Sequence, residues 1–349
     1  MTLVRLALTG AVKARARELG FDRVAIGPAG PPEHGPAFER WLEAGHAATM
    51  DYLARARADR LDPERLLPGC RSVVAVALVY ARDDADPSWR GVARYARGRD
   101  YHDVMRPRLV ELAAFIRHAA GDEVRCRAAV DTSALLERDL AARAGLGWVG
   151  KNTNLLDPSI GSYFFIGIVL TTAVLGWDGS LPDRCGTCTA CLDACPTQAF
   201  TGPYVLDARR CLAYLTIEHR GVIPEEYRKA IGEWVFGCDV CQEVCPWNRK
   251  AAPAREPALA PTAPFPPLAA LLDLDRDRFR ARFRGSALTR ARRAGLLRNA
   301  AIVLGNRRDR NAIPALRRAL ADEDAGVARA AAWALERIER GPPAPSPMS

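Results

Sequence analysis

The 349-residue chain lacks an apolar run long enough to cross a membrane. Ser162–Trp177 comes nearest, at sixteen residues, and its Tyr, Phe, Ile, Val and Thr content reads as a buried strand. An export signal is also missing. The first twenty residues put a charge before an apolar run, but Gly10 breaks that run. Lys13, Arg15 and Arg17 follow it, with no small-residue cleavage site. An amphipathic helix ending at Gly20 is the simpler reading, and it makes the protein soluble and cytoplasmic. Lysine is scarce, with four against forty-six arginines, so arginine abundance is partly a habit of composition. Hydrophobic content of 49% and charged content of 26% are those of ordinary globular domains.

Ten cysteines are present, and without an export signal they are expected as thiols or metal ligands rather than disulfides. Cys70 and Cys126 sit alone beside apolar runs and read as small core residues. The other eight lie between Cys185 and Cys245. Cys185-x2-Cys188-x2-Cys191-x3-Cys195-Pro196 is the complete bacterial-ferredoxin run, in which three thiolates wrap one cubane and the fourth serves another. Cys238-x2-Cys241-x3-Cys245-Pro246 repeats its last three positions, with Val235 where the first would stand. Cys211 restores the count to eight, which is what two [4Fe-4S] clusters need. By the crossover rule Cys185, Cys188, Cys191 and Cys245 hold the first cluster, and Cys195, Cys211, Cys238 and Cys241 the second. Zinc is the competing occupant of C-x2-C units, but zinc ribbons do not call for this full run.

Charge is unevenly spread. The formal total is +9, yet Arg276–Arg340 alone holds seventeen Arg against seven Asp or Glu. The rest is close to neutral. A basic end on a neutral body suggests a polyanion, nucleic acid first, with a solvated helix face as the plainer alternative.

The periodicity predicts a mixed, α+β architecture. Residues 1–178 alternate helical and strand patterns: a helix near 3–19, a strand at Arg23–Ile26, helix over Pro36–Arg57 and a strand at Ser72–Tyr80. A helix at Asp103–Ala120 capped by Asp103, a strand at Val124–Val130, a helix at Ser133–Ala144 and a strand at Tyr163–Thr171 complete this α/β domain. Residues 179–250 form a ferredoxin-like two-cluster domain, 251–285 a Pro/Ala-rich linker, 286–340 a helical module and 341–349 a disordered tail. Within the module Leu296–Gly305 and Val327–Glu336 align at a 31-residue offset, pairing Arg298 with Arg329, Ala301 with Ala332 and Leu304 with Leu335. Helices repeating at this length read as HEAT-like units.

Asp131 ends a strand and precedes a helix, a place that suits a catalytic group, although position alone favours a cap supplied by Asp131, Thr132 or Ser133. Gly145, Gly147 and Gly150 bracket Trp148, and Lys151 is a lysine kept where the chain otherwise writes arginine.

The segments RYARGRDYHDVM, VDTSALLERDLAARAGLGWVGKNTNL, CGTCTACLDACPTQAF and GCDVCQEVCPWN closely resemble the epoxyqueuosine reductase family, over about residues 5–340. The resemblance implies cobalamin between body and cluster domain, clusters that feed it electrons, and a tRNA carrying epoxyqueuosine at the wobble position of GUN anticodons. Asp131 matches the family's proton donor and Arg60 a cobalamin-contacting arginine. Asp131, Thr132, Ser133, Lys151, Asn152, Asp239 and Val240 match further cobalamin contacts. Tyr95 falls among these positions where some members have Cys, so a role for that thiol does not carry over. An external flavodoxin- or ferredoxin-type electron donor and a monomeric state are also expected. Two rivals are a corrinoid reductive dehalogenase, which would carry a twin-arginine signal, and a plain electron carrier with an RNA-binding appendage. A carrier would not need some 180 residues ahead of its clusters.

Overall fold

Strand Ser72–Val79 (β2) is buried at every one of its eight positions, as a β-branched run covered on both faces must be. The computed structural model describes residues 2–82, 86–249 and 251–340. The tail expected at 341–349 lies outside them. Two compact units are formed: Met1–Asp83, Gly98–Ala208 and Asp239–Pro261 make the first, and Asp84–Arg97, Arg209–Cys238 and Thr262–Ser349 the second.

In the first unit, helix Thr2–Glu18 (α1) leads into strand Arg23–Pro28 (β1). After β2 come helix Tyr101–Ala120 (α2), strand Cys126–Ala129 (β3), helix Glu137–Arg143 (α3) and strand Phe164–Thr171 (β4). The sheet order is β1-β2-β4-β3, antiparallel throughout, with Ala25 opposite Ala75, Val76 opposite Gly167 and Ala128 opposite Val169. Antiparallel pairing makes this an α+β arrangement rather than a doubly wound one. On one face Val73, Ala75, Ala77 and Val79 pack with Leu140, Ala141 and Ala144 of α3. On the other, Gly167 lets α2 come close: a Cβ there would lie 2.9 Å from Leu109 and 3.0 Å from Met105. Cys70 is buried as expected, and Cys126 is half-buried with its thiol 3.2 Å from the Thr171 hydroxyl.

Three expectations change. The helix read over 36–57 is broken: Gly35–Glu43 ends near Gly45, whose φ is +69°, and short turns at Asp51–Arg55 and Arg57–Leu61 follow. Asp100, not Asp103, caps α2, because its carboxylate accepts the His102 backbone N–H directly ahead of the first turn. The helix read from Ser133 begins at Glu137, since residues 131–135 form bends, and Leu136 precedes it with no side-chain cap. Asp131, Thr132 and Ser133 therefore do not cap it.

The second unit holds helix Leu212–Ile217 (α4) and the helical end, Arg292–Arg307 (α5), Ile313–Ala319 (α6) and Ala325–Glu339 (α7). Gly305 of α5 meets α7 so closely that a Cβ would lie 2.8 Å from the Ala334 Cα. The aligned positions Leu304 and Leu335 are both buried, whereas Arg298 is buried and Arg329 exposed. Arg298 donates to the carbonyls of Leu215 (2.8 Å), His219 (3.0 Å) and Gly221 (2.8 Å). Burial lowers its pKa to about 10, so it stays charged at neutral pH. Asn299 donates to the carbonyls of Thr216 and Val235 at 2.8 and 2.9 Å. Among the described residues no helix is long and apolar enough to cross a membrane.

Candidate functional site

The chain leaves β3 and turns through Asp131, a non-glycine residue at φ +51°, a conformation that Asp tolerates better than most. Its backbone N–H donates to Glu137 Oε1 at 2.7 Å. Burial, and then the nearby Asp131 charge, push the Glu137 carboxyl up to about 8. Arg60 donates from Nη1 to the Leu135 carbonyl at 3.1 Å, bracing the same loop, while its buried Nε has no hydrogen-bond partner among the described residues. The Thr132 hydroxyl donates to the Val130 carbonyl, and the Ser133 carbonyl accepts from the Leu135 N–H.

His102, in the first turn of α2, faces this loop. Its Nδ1 is 2.7 Å from Asp100 Oδ1, and its Nε2 is 3.5 Å from Asp131 Oδ2. The hydrogen bond to Asp100, then the Asp131 carboxylate 3.5 Å from Nε2, raise the imidazole to about 9 against a smaller effect of burial. That separation is an ion-pair contact, and Nε2 makes no hydrogen bond among the described residues. Asp100 is in turn held below the usual carboxylate range by His102. The Tyr101 ring stacks on His102 at 4.2 Å and on Phe165 at 4.3 Å. The Asp131 side chain is 59% exposed, so burial does not keep a proton on it; the group that does hold one beside it is the imidazole. The sequence singled out neither Glu137 nor the Tyr101–His102 pair. The alternation of Asp100, His102 and Asp103 at a helix start was the only available hint.

Lys151 and Asn152 reach a different place. Lys151 Nζ donates to the carbonyls of Gly186 (2.6 Å) and Cys188 (3.0 Å), within the first cysteine run. Asn152 is buried and donates to the Cys241 carbonyl at 3.3 Å, and Asn154 Nδ2 lies 4.0 Å from the Cys241 sulfur. Asp239 is buried, accepts from Gln242 Nε2 at 3.3 Å, and precedes the helical turn Val240–Glu243. Gln242 and Asn248 both bond Ser162, tying this turn to the strand β4 end.

The thiols Cys185, Cys191 and Cys245 are raised by burial. Cys191 also feels the charges of Cys245, Cys185 and Cys188, and Cys245 those of Cys185 and Cys188, so these four converge despite the gap in sequence. Cys245 packs against Trp148, Leu156 and Trp247. Among the described residues no three His, Cys, Asp or Glu are grouped so as to hold a single metal ion. Cys195 and Cys241 also belong to the first unit, where Cys195 sulfur accepts the Ala199 N–H at 3.3 Å. Cys211 and Cys238 belong to the second. Cys211 precedes α4, and Cys238 follows Gly237, whose N–H donates to the Thr216 hydroxyl of α4 at 2.9 Å. Tyr95 is likewise in the second unit, its ring 6.1 Å from Phe236.

An α+β body, a paired cysteine run and a helical-repeat end define an iron–sulfur redox protein. Residues 184–248 match the 4Fe-4S double cluster binding domain, 60–132 match "Epoxyqueuosine reductase QueG, DUF1730", and 281–348 match HEAT repeats. The epoxyqueuosine reductase of Pseudomonas aeruginosa is 45% identical over 309 residues, 86% of this chain and 85% of the relative. That of Xanthomonas campestris is 41% identical over 338 residues, 93% and 94% of the two chains. A crystal structure of an epoxyqueuosine reductase with an epoxyqueuosine-modified tRNA stem loop superposes with a TM-score of 0.88 at 32% identity, covering 95% of this chain and 90% of that one. The Bacillus subtilis enzyme, seen with its catalytic aspartate loop swung out of the active site, gives 0.87 at 30% identity over 95% and 90%. The chain belongs to the epoxyqueuosine reductase family and is an oxidoreductase.

Proposed function

We propose that this protein reduces epoxyqueuosine to queuosine at the wobble position of GUN-anticodon tRNAs, in the cytoplasm, using cobalamin and two [4Fe-4S] clusters. One observation carries the reading: an exposed carboxylate, Asp131, stands on a braced loop beside a charged imidazole, in a chain whose relatives share this fold and reaction. Cys185, Cys188, Cys191 and Cys245 hold the first cluster, and Cys195, Cys211, Cys238 and Cys241 the second. The donor set suits iron, being thiolates with N–H groups aimed at sulfur, as at Cys195 and Cys241.

Cobalamin suits the residues as well. The unpartnered buried Arg60 Nε is a donor awaiting an acceptor, which the amides of a corrinoid provide. Arg60, Tyr95, Asp131, Thr132, Ser133, Lys151, Asn152, Asp239 and Val240 are the proposed contacts. When bound, cobalamin supplies a strongly reducing metal centre. Asp131 delivers a proton to the departing epoxide oxygen, and Arg60 and Glu137 hold the loop that aims it. The exposed arginines of the helical end attract the tRNA backbone, and an extruded anticodon base brings the modified ring to the site. Electrons enter from a flavodoxin- or ferredoxin-type donor, and the protein works as a monomer.

The test is Asp131→Asn, assayed for conversion of epoxyqueuosine in tRNA under a strong reductant. Turnover should fall by roughly 10²–10⁴-fold with clusters and tRNA affinity retained. Near-normal turnover would sink the assignment of Asp131.

A further inference from the structure

Removing an epoxide oxygen to leave a double bond breaks two C–O bonds and releases water. The balance requires two electrons, which the reductase delivers, and two protons on the departing oxygen. A single carboxyl holds one proton at a time. Asp131, more than half exposed, has no apolar enclosure to keep even that one at neutral pH. A second group must load it.

We infer that His102 is the proton store of this site: hydrogen-bonded to Asp100 at Nδ1 and facing the Asp131 carboxylate with Nε2, it passes each proton to Asp131 and is refilled from water. This rests on the reading of Asp131 as the group that meets the substrate. The first proton opens the ring to a hydroxyl, and the second converts the leaving hydroxide to water. His102 acts through Asp131 and does not itself touch the epoxide, so it is a positioning and supply residue. Glu137 is the other protonated group nearby, but its carboxyl accepts the Asp131 backbone N–H and is not aimed at the Asp131 carboxylate.

Several features place the imidazole for this work. Asp100 fixes the tautomer by accepting from Nδ1, which leaves Nε2 carrying the transferable proton. Stacking on Tyr101, itself stacked on Phe165, holds the ring plane. Charged groups facing it are Asp100 at the head of α2 and Asp131 on the loop after β3. Glu137 at the start of α3, with Arg60 and Arg138 acting on it, forms the next layer. Two carboxylates raise the imidazole to about 9, so it is loaded throughout the neutral range and empties only above that.

The pH profile separates supply from structure. With cobalamin and both clusters reduced beforehand, single-turnover rates on an epoxyqueuosine stem loop should be flat from pH 6 to 8 and fall as pH passes about 9. In His102→Gln, Asp131 must load from water, and its protonated fraction drops about tenfold per pH unit above the carboxylate range. The rate should then decline steadily across pH 6 to 8, by roughly 10²-fold over those two units, while the parent stays flat. Asp100→Asn keeps the cap on α2 but removes the charge that holds the imidazole protonated. Its alkaline limb should move down toward the ordinary imidazole range. A His102→Gln profile parallel to the parent, at the same or a uniformly lower rate, overturns the proposal, as does an Asp100→Asn limb that does not move. An active Asp131→Asn would instead defeat the assignment of Asp131. An inactive Asp131→Asn with unchanged His102→Gln behaviour defeats the proton store alone.

Discussion

Arg298→Met should cost the protein its second cluster without touching a cysteine. The guanidinium of Arg298, 2% exposed, fills the hydrogen-bonding needs of three backbone carbonyls, Leu215, His219 and Gly221. Its Nε also orients Asn299 at 3.1 Å, whose amide serves Thr216 and Val235. Methionine restores the bulk but none of the donors. Only the bond to Leu215 is fully buried; those to His219 and Gly221 are partly exposed, so water recovers part of the about 1–3 kcal/mol that each lost partner costs, and a net loss of roughly 3–5 kcal/mol follows. A domain of this size has only about 5–15 kcal/mol in total. The melting transition of the second unit should fall by roughly 10 °C. The strands of chain released are those bearing Cys211, just ahead of α4, and Cys238, just after the Gly237 that bonds Thr216. Iron analysis and paramagnetic resonance on anaerobic protein should show about half the iron lost, with the cluster of Cys185 and Cys188 retained. Arg298→Lys, which keeps the charge and one or two of the bonds, should fall between. Full iron and an unshifted melt in Arg298→Met would refute the clamp.

Other outcomes can be checked alongside. Cys245→Ala should remove the first cluster, seen as loss of its resonance signal. Damage confined to the cluster of Cys238 and Cys241 would overturn the crossover assignment. Reversing the exposed Arg317 and Arg329 to Glu should weaken tRNA binding and reduce the slope of log affinity against log salt by about one for each phosphate no longer neutralised, with iron content unchanged. An unaltered slope would make the basic end purely structural.

How much of this was legible in the sequence differs by region. The cysteine spacing announced a double-cluster domain, which residues 184–248 match, because a cubane fixes local geometry, and β2 and β4 were legible because burial on both faces writes them in apolar, largely β-branched residues. The charge excess was read as one basic surface, and that is too coarse. At least eight of its seventeen arginines, Arg293 against Asp322 and Arg318 against Asp273 among them, lie against carboxylates. Arg298 is an interior polar anchor, although its aligned partner Arg329 is exposed. Nothing in the local pattern separates the two, since the carbonyls that make the difference come from residues about 80 positions earlier. For the same reason deleting the helical end is a poor test of tRNA binding: it would remove the clamp around the Cys211 and Cys238 loops as well. The Asp100–His102–Asp131 alignment was hidden because it joins the head of α2 to the loop after β3.

The competing reading of Asp131 as a helix cap makes the opposite prediction for stability, and the structure decides what to expect. A lost cap costs about 0.5–2 kcal/mol, yet α3 begins six residues on, at Glu137, with no side-chain cap at all. The Asp131 side chain therefore contributes no cap, and its removal should leave the melting temperature nearly unchanged. One small term remains. At φ +51° Asn is as comfortable as Asp, whereas Ala is disfavoured by the clash of Cβ in the left-handed region, worth about 1 kcal/mol. Asp131→Asn should thus melt with the parent, and Asp131→Ala a few degrees lower, while both lose turnover to the same extent. Calorimetry and the tRNA conversion assay on the same preparations give both quantities. A clear drop in melting temperature for Asp131→Asn, with turnover falling only in proportion, would return Asp131 to a structural role.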